Sequence, residues 1–306
     1  MTDSQAGNSN TDTGSKSLTW GLDVTILRES SWLTIITVVV AGAAAVTGFN
    51  LSRTTIVNGL QPIYDVTNGL VQTTLLVNLL LLVVIVGGVI LGLGQLRPRD
   101  LGLVREDLWI GLGITAGTWI LMQSTGVVAV LVQGRSLGFD ESWATIGATA
   151  VFGGFLAQIL GNALYEEIVY RAFLLPQLTQ KFRHRMIKQS PRTVFVFALL
   201  VSQSVFGIIH IPSRLAQGAT VGDLPLLLLG PFLIGVLFAL VYYRTGNLFV
   251  TVGLHALVND PVLVVNAGAI ALFPILFVLL AVLLVWPSIS ALFRTDQQRT
   301  AVNRKV

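Results

Sequence analysis

The chain has 306 residues, of which 53% are hydrophobic, 11% are charged and none is cysteine. A soluble globular protein carries about 25% charged residues, so this composition excludes an ordinary soluble domain and points to a chain that lives in lipid. The lack of cysteine excludes disulfides, thiolate zinc sites and a cysteine nucleophile. The net charge of +4 sits beside apolar stretches, where it sets topology rather than binding nucleic acid.

Residues 1–30 are polar and are expected to form a disordered cytoplasmic tail. The first apolar run starts at about Trp32, behind polar and acidic residues, and is long enough to span, so it does not read as a signal peptide. Spanning the hydrocarbon core takes about 20 helical residues. Candidate spans follow at about 31–51, 74–96, 108–132, 147–176, 191–211, 224–243, 248–265 and 268–287. The fold class is therefore all-α, a polytopic helical membrane protein of about eight transmembrane helices. Residues 31–290 make one helical domain and 291–306 a polar cytoplasmic tail. Gly88 with Gly92, and Gly113 with Gly117, have the small-xxx-small spacing that lets membrane helices approach closely.

Lysine and arginine fall unevenly in the loops. Arg97, Arg99 and Arg105 follow the second span, Lys181, Arg183, Arg185, Lys188 and Arg192 the fourth, Arg244 the sixth, and Arg294, Arg299, Arg304 and Lys305 the eighth. The alternate loops hold Arg53, Arg135 and Arg214. This bias predicts an integral protein of the cell membrane with both termini in the cytoplasm.

Ionisable groups inside apolar spans are costly and need a partner or a purpose. The fourth span holds Glu166, Glu167 and Arg171. Glu167 and Arg171 are four apart and share a helix face, which suits a structural ion pair. Glu166 lies about 100° round the helix and is left over, available as a general base. Phe206 and His210 stand late in the fifth span, and His255 and Asn259, again four apart, in the seventh with Asp260 next. The third histidine, His184, lies in a basic loop and reads as solvated.

The polar residues allow two routes. In one, Glu166 activates a water with the help of one histidine, while the other histidine and Asn259 donate hydrogen bonds to the oxyanion. In the other, Glu166, His210 and His255 bind a divalent metal such as zinc with an open fourth position. Both end in hydrolysis of an amide. Depth poses a difficulty for either route. At 1.5 Å per residue, His210 lies ~27 Å along its helix from Arg192, and His255 ~16 Å from Arg244. Either the fifth span begins in a cytoplasmic projection or the boundaries differ from those above.

Other protease patterns fit less well. H-E-x-x-H is absent, Gly134-Arg-Ser136-Leu-Gly138 lies in a loop without the strand-turn-helix setting of a nucleophile elbow, and Tyr64-Asp65 has no G-x-G-D partner. Taken together, E-E-I-V-Y-R (Glu166, Glu167, Arg171), F-G-I-I-H (Phe206, His210) and H-A-L-V-N (His255, Asn259) resemble the signature of the CPBP family of intramembrane proteases, also called CAAX-protease, Rce1-like or Abi. The resemblance covers about 147–265, the expected protease core.

It implies an intramembrane endopeptidase in which Glu166 and His210 activate water, His255 and Asn259 stabilise the oxyanion, and Glu167 and Arg171 hold the helix. The family is described both as metal-dependent and as glutamate proteases, so the cofactor is either none or a divalent metal. The implied partners are the lipid bilayer and a membrane-associated or lipidated substrate, a CAAX-type tail or a small peptide. Many members have glycine after the motif arginine, where this chain has Ala172. The competing readings are a non-catalytic scaffold or immunity protein and a transporter that uses the buried Glu, Arg and His as a proton relay.

Overall fold

A computed structural model describes residues 28–286. The expected tails therefore lie outside the described residues, apart from Arg28–Ser30, as do Arg294, Arg299, Arg304 and Lys305. The described residues are mostly helical, in ten helices of six residues or more: α1 (Trp32–Leu51), α2 (Arg53–Val66), α3 (Thr73–Leu93), α4 (Arg105–Val132), α5 (Ala148–Arg185), α6 (Pro191–Ile208), α7 (Ile211–Ala216), α8 (Leu224–Thr245), α9 (Leu248–Asn259) and α10 (Gly268–Trp286). Seven of the helical segments are long and apolar enough to cross a membrane, and α9 is shorter.

Local chemistry sets the helix ends. Ser31 caps α1 by accepting from the Thr34 N–H at 3.1 Å, and Ser190 caps α6 in the same way for Thr193, with Pro191 in the first turn. Gly246, in the left-handed region at φ 65°, ends α8 and lets the chain reverse into α9. Asn247 then caps α9 through its Oδ1 while its Nδ2 donates to the Asp107 carbonyl at 2.9 Å.

α9 is the central element. Apolar around its circumference, it is buried at Leu248 and from Val250 to Leu257, as expected of a helix enclosed on all sides. Close approach of α4 depends on two glycines. A Cβ at Gly111 would strike Phe249, and one at Gly253 would strike the Thr115 side chain. The glycines with small-xxx-small spacing behave otherwise. Gly113 and Gly117 meet nothing, and Gly88 and Gly92 have only backbone of their own helix nearby. Those four face outward, because regular spacing places residues on one face without saying which face a neighbour covers.

α9 also corrects the expected seventh span at 248–265. It stops at Asn259, after 12 residues, about 18 Å of helix. Pro261 disfavours helical geometry at Asp260, the residue before it. The following backbone is not left bare, which lipid would penalise. Trp119 and Trp143 donate to the Val262 and Leu263 carbonyls at 3.1 and 2.7 Å, and Gln123 Oε1 accepts from Val264 N–H at 2.9 Å. The fourth span runs on past 176 to Arg185, and the fifth bends at Ile209–His210 into α7.

The bundle has two distinct ends. At one, Arg28 bonds Gln95, Gln177 bonds both Arg28 and Ser30, Glu29 pairs with Lys181 at 2.7 Å, and His184 lies 3.3 Å from Glu29. At the other, Asn50 donates to Ser213 at 3.2 Å and the loop through Asp140 meets Val264.

Candidate active site

The site is built on α5, whose helical repeat widens to i→i+5 bonding at Gln158–Asn162 and again at Glu167–Leu174. Such π-helical turns recur at functional sites. At the junction of these turns stand the two glutamates, in different surroundings. Glu167 is fully buried; its Oε1 lies 3.3 Å from Arg171 Nη1 and 2.7 Å from His255 Nδ1. Glu166 keeps 17% of its side chain exposed, with Oε2 3.6 Å from His255 Nε2. The single imidazole of His255 thus stands between both carboxylates. Two carboxylates, a guanidinium and this imidazole sum to zero charge when both ring nitrogens carry protons, an economical arrangement where an unpaired charge is costly.

Aromatic rings enclose the ion pair. Phe206 lies under the Arg171 guanidinium at 4.1 Å, and Phe238 stacks on His255 at 4.9 Å and 23°. The Phe206 carbonyl accepts from His210 Nδ1 at 2.7 Å. A carbonyl only accepts, so the Nδ1 proton is fixed and Nε2 is the free nitrogen of His210. Gly235 lets α8 approach here: a Cβ would stand 2.7 Å from Gln203 Oε1 and 2.9 Å from Phe206.

Glu166 and His210 share a cavity of about 470 Å³, within the range of small-ligand sites. Asn162, one turn before Glu166, also lines it. Most of the remaining wall comes from α1, α2 and α3. On α2 the lining residues are Arg53, Val57, Gln61 and Tyr64, spaced 4, 4 and 3, hence one helix face. Carboxamides recur around the wall at Asn50, Gln72, Asn78 and Gln217.

The structure therefore gathers Glu166, Glu167, Arg171, Phe206 and His255 into one contact set and puts His210 on the cavity with Glu166. No hydrogen bond or ion pair joins the two histidines among the described residues, so they need not share one depth. Asn259 is not in the set: it is exposed, and its Nδ2 donates to Gln158 Oε1 at 3.0 Å. Ala172, where many members of the suspected family have glycine, is buried in the core at 2% exposure.

Among the described residues, no three His, Cys, Asp or Glu side chains are grouped so as to hold a metal ion. In this arrangement Glu166, His210 and His255 do not converge as a ligand set. Phe238, Gln158, Asn162 and the α2 face join the site without having been expected from sequence. The α2 face and the Asn162–Glu166 spacing are visible there as helical periods, whereas Phe238 is one apolar residue among many.

Residues 147–260 match the family model for the type II CAAX prenyl endopeptidase Rce1-like family. No curated protein and no solved structure matches the chain. The matched segment runs from the start of α5 to the end of α9 and contains all three polar motifs, so over this part the chain is similar to the Rce1-like family.

Proposed function

We propose that this protein is an intramembrane endopeptidase that hydrolyses a peptide bond of a membrane-associated substrate, with Glu166 as general base on water. The observation that carries the reading is the unequal setting of the adjacent glutamates. Glu167 is fully buried and its Oε1 is held by both Arg171 and His255, whereas Glu166 reaches a cavity large enough for a peptide segment.

In this mechanism the Glu166 carboxylate takes a proton from water as the oxygen adds to the scissile carbonyl carbon. His210 Nε2, left without a proton because Nδ1 donates to the Phe206 carbonyl, is placed on the cavity to accept a hydrogen bond from the attacking water beside Glu166. Collapse breaks the C–N bond, the Glu166 proton passes to the leaving nitrogen, and a carboxylic acid and an amine depart. His255, fixed by Glu167, orients Glu166 from behind. Asn259 acts as a positioning residue that ties the end of α9 to Gln158 on α5. A scaffold role gives no reason for an open cavity at the one unlocked glutamate. A proton relay needs a continuation beyond His255, and Phe238 covers that ring.

The test is cleavage of membrane-tethered peptides by the purified protein in lipid, with and without a chelator. Wild type is expected to cut in both conditions and His210→Ala to lose most of its rate. Cleavage abolished by chelation and restored by zinc would replace this mechanism with a metal-dependent one.

A further inference from the structure

We infer that Gln203 is a further positioning residue of the active site: its side-chain carbonyl holds the free edge of the Arg171 guanidinium, and through Arg171, Glu167 and His255 it sets where the Glu166 carboxylate stands. The inference rests on the protease reading above and extends it to a residue outside the three polar motifs.

The first observation is a carboxamide in an apolar helix. α6 is apolar from Val194 to Val201, and Gln203 is completely buried just beyond that run. A buried carboxamide is costly unless its donor and its acceptor are both used. The order of hydrogen bonds fixes which end points where. The Ser202 hydroxyl donates to the Tyr170 carbonyl at 3.2 Å, so its oxygen is left to accept. It accepts from Gln203 Nε2, also at 3.2 Å. The amide nitrogen is thereby committed to Ser202, and Oε1 has no hydrogen bond among the described residues.

The second observation is the group that Oε1 faces. Arg171 is completely buried as well; its Nη1 stands 3.3 Å from Glu167, while Nη2 and Nε have no hydrogen-bond partner among the described residues. A guanidinium only donates, through five N–H in one plane. Gln203 Oε1 and Arg171 Nη2 meet at one face of α8. A Cβ on Gly235 would lie 2.7 Å from the first and 3.3 Å from the second, which puts acceptor and donor within about 6 Å of each other. Gln203 and Phe206, three apart, share a face of α6. Phe206 lies under the flat side of the guanidinium at 4.1 Å, and Gln203 takes its edge.

A neutral acceptor suits this place. The two carboxylates, the guanidinium and the imidazolium already sum to zero, and a carbonyl dipole attracts the cation strongly at low dielectric without adding a charge. The consequence reaches the base. Arg171 and His255 Nδ1 share Glu167 Oε1, and His255 Nε2 lies 3.6 Å from Glu166. A guanidinium free to tilt passes its displacement along that chain, and about 1 Å of misplacement costs roughly 10²-fold in rate.

The test uses Gln203→Met, which keeps the length of the side chain and removes both polar ends. In cleavage of tethered peptides in lipid, kcat should fall roughly 10-fold to 100-fold with KM within about twofold of wild type, because Gln203 does not line the cavity. A raised KM with kcat unchanged would overturn the assignment. A second arm needs no turnover. Thermal unfolding of Gln203→Met is compared in the wild type and in the chain carrying Glu167→Leu with Arg171→Leu, where no guanidinium remains. The midpoint should fall by about 3 °C or more in the wild type and stay level or rise in the other background. An equal fall in both backgrounds would show that Gln203 only packs, and would overturn the inference. Should the doubly substituted chain not fold, the split between kcat and KM decides alone. A fall confined to the wild-type background, with no cleavage by wild type itself, would count against the protease reading while leaving the hold of Gln203 on Arg171 standing.

Discussion

The two ends of α5 face opposite demands. From Glu167 onward the helix is sealed, with its charges paired, its rings stacked and every residue to Gln180 buried. From Asn162 to Glu166 the same helix borders an open, carboxamide-lined cavity. One peptide bond separates the locked glutamate from the accessible one. The contrast teaches that adjacent acids in a membrane helix can serve different ends. The buried one fixes a histidine, and the histidine in turn abuts the carboxylate that borders the cavity.

Breaking the sealed half should have the largest effect on stability. Arg171→Leu leaves the Glu167 carboxylate with His255 alone, and loss of one partner of a buried pair costs about 3–5 kcal/mol. The double variant Glu167→Leu with Arg171→Leu should recover much of that loss, because no lone charge remains. It should stay inactive, because His255 has lost its holder. Unfolding in detergent, followed by circular dichroism, measures both; a double variant no more stable than the single one would show that the pair itself carries the stability.

The α4–α9 contact should be next. Gly253→Ala drives a methyl group into Thr115, and overpacking of this kind costs about 1–3 kcal/mol. Gly113→Ala, at an open position, should be near neutral in the same assay. If the two behaved alike, close approach would not be what Gly253 provides.

The smallest effect belongs to the basic end. Lys181 hydrogen-bonds Glu29 and holds its carboxyl below the ordinary value, with a lesser pull from His184. A depressed carboxyl stabilises the fold above its unfolded pKa and loses that effect as pH falls through the folded one. Glu29→Gln should therefore cost a few tenths of a kcal/mol at neutral pH, given its exposure, and nothing at acid pH. A deficit that persists at low pH would point to packing instead of charge.

How much was legible follows the same division. The Glu167–Arg171 bridge can be read from spacing alone, since i and i+4 meet on any helix. The spans follow hydropathy apart from the fourth, which runs on to Arg185, the fifth, which bends at Ile209–His210, and the seventh, where a run of apolar residues hides a helix stop that Pro261 announces. α2 escapes a hydropathy reading because Arg53 and Asp65 stand at its ends and Asn58, Gln61 and Pro62 interrupt it, although its lining face keeps a helical period. The placement of His255 between two carboxylates 88 and 89 residues away depends on how α5 and α9 cross, and no local pattern encodes that. Nor does any pattern single out Gln158 as the partner of Asn259, or Phe238 as the ring over His255.

The most direct measurement of the central claim compares Glu166→Gln with the wild type in two readouts on one preparation, peptide cleavage in lipid and thermal unfolding. Glu166 is partly exposed and makes no hydrogen bond among the described residues beyond its approach to His255 at 3.6 Å. The variant should thus unfold within about 0.5 kcal/mol of wild type, while cleavage falls by roughly 10²–10⁴-fold, the range of a lost general base. Cleavage at the wild-type rate, or a loss of activity that tracks a loss of folding, would contradict the division between the two glutamates.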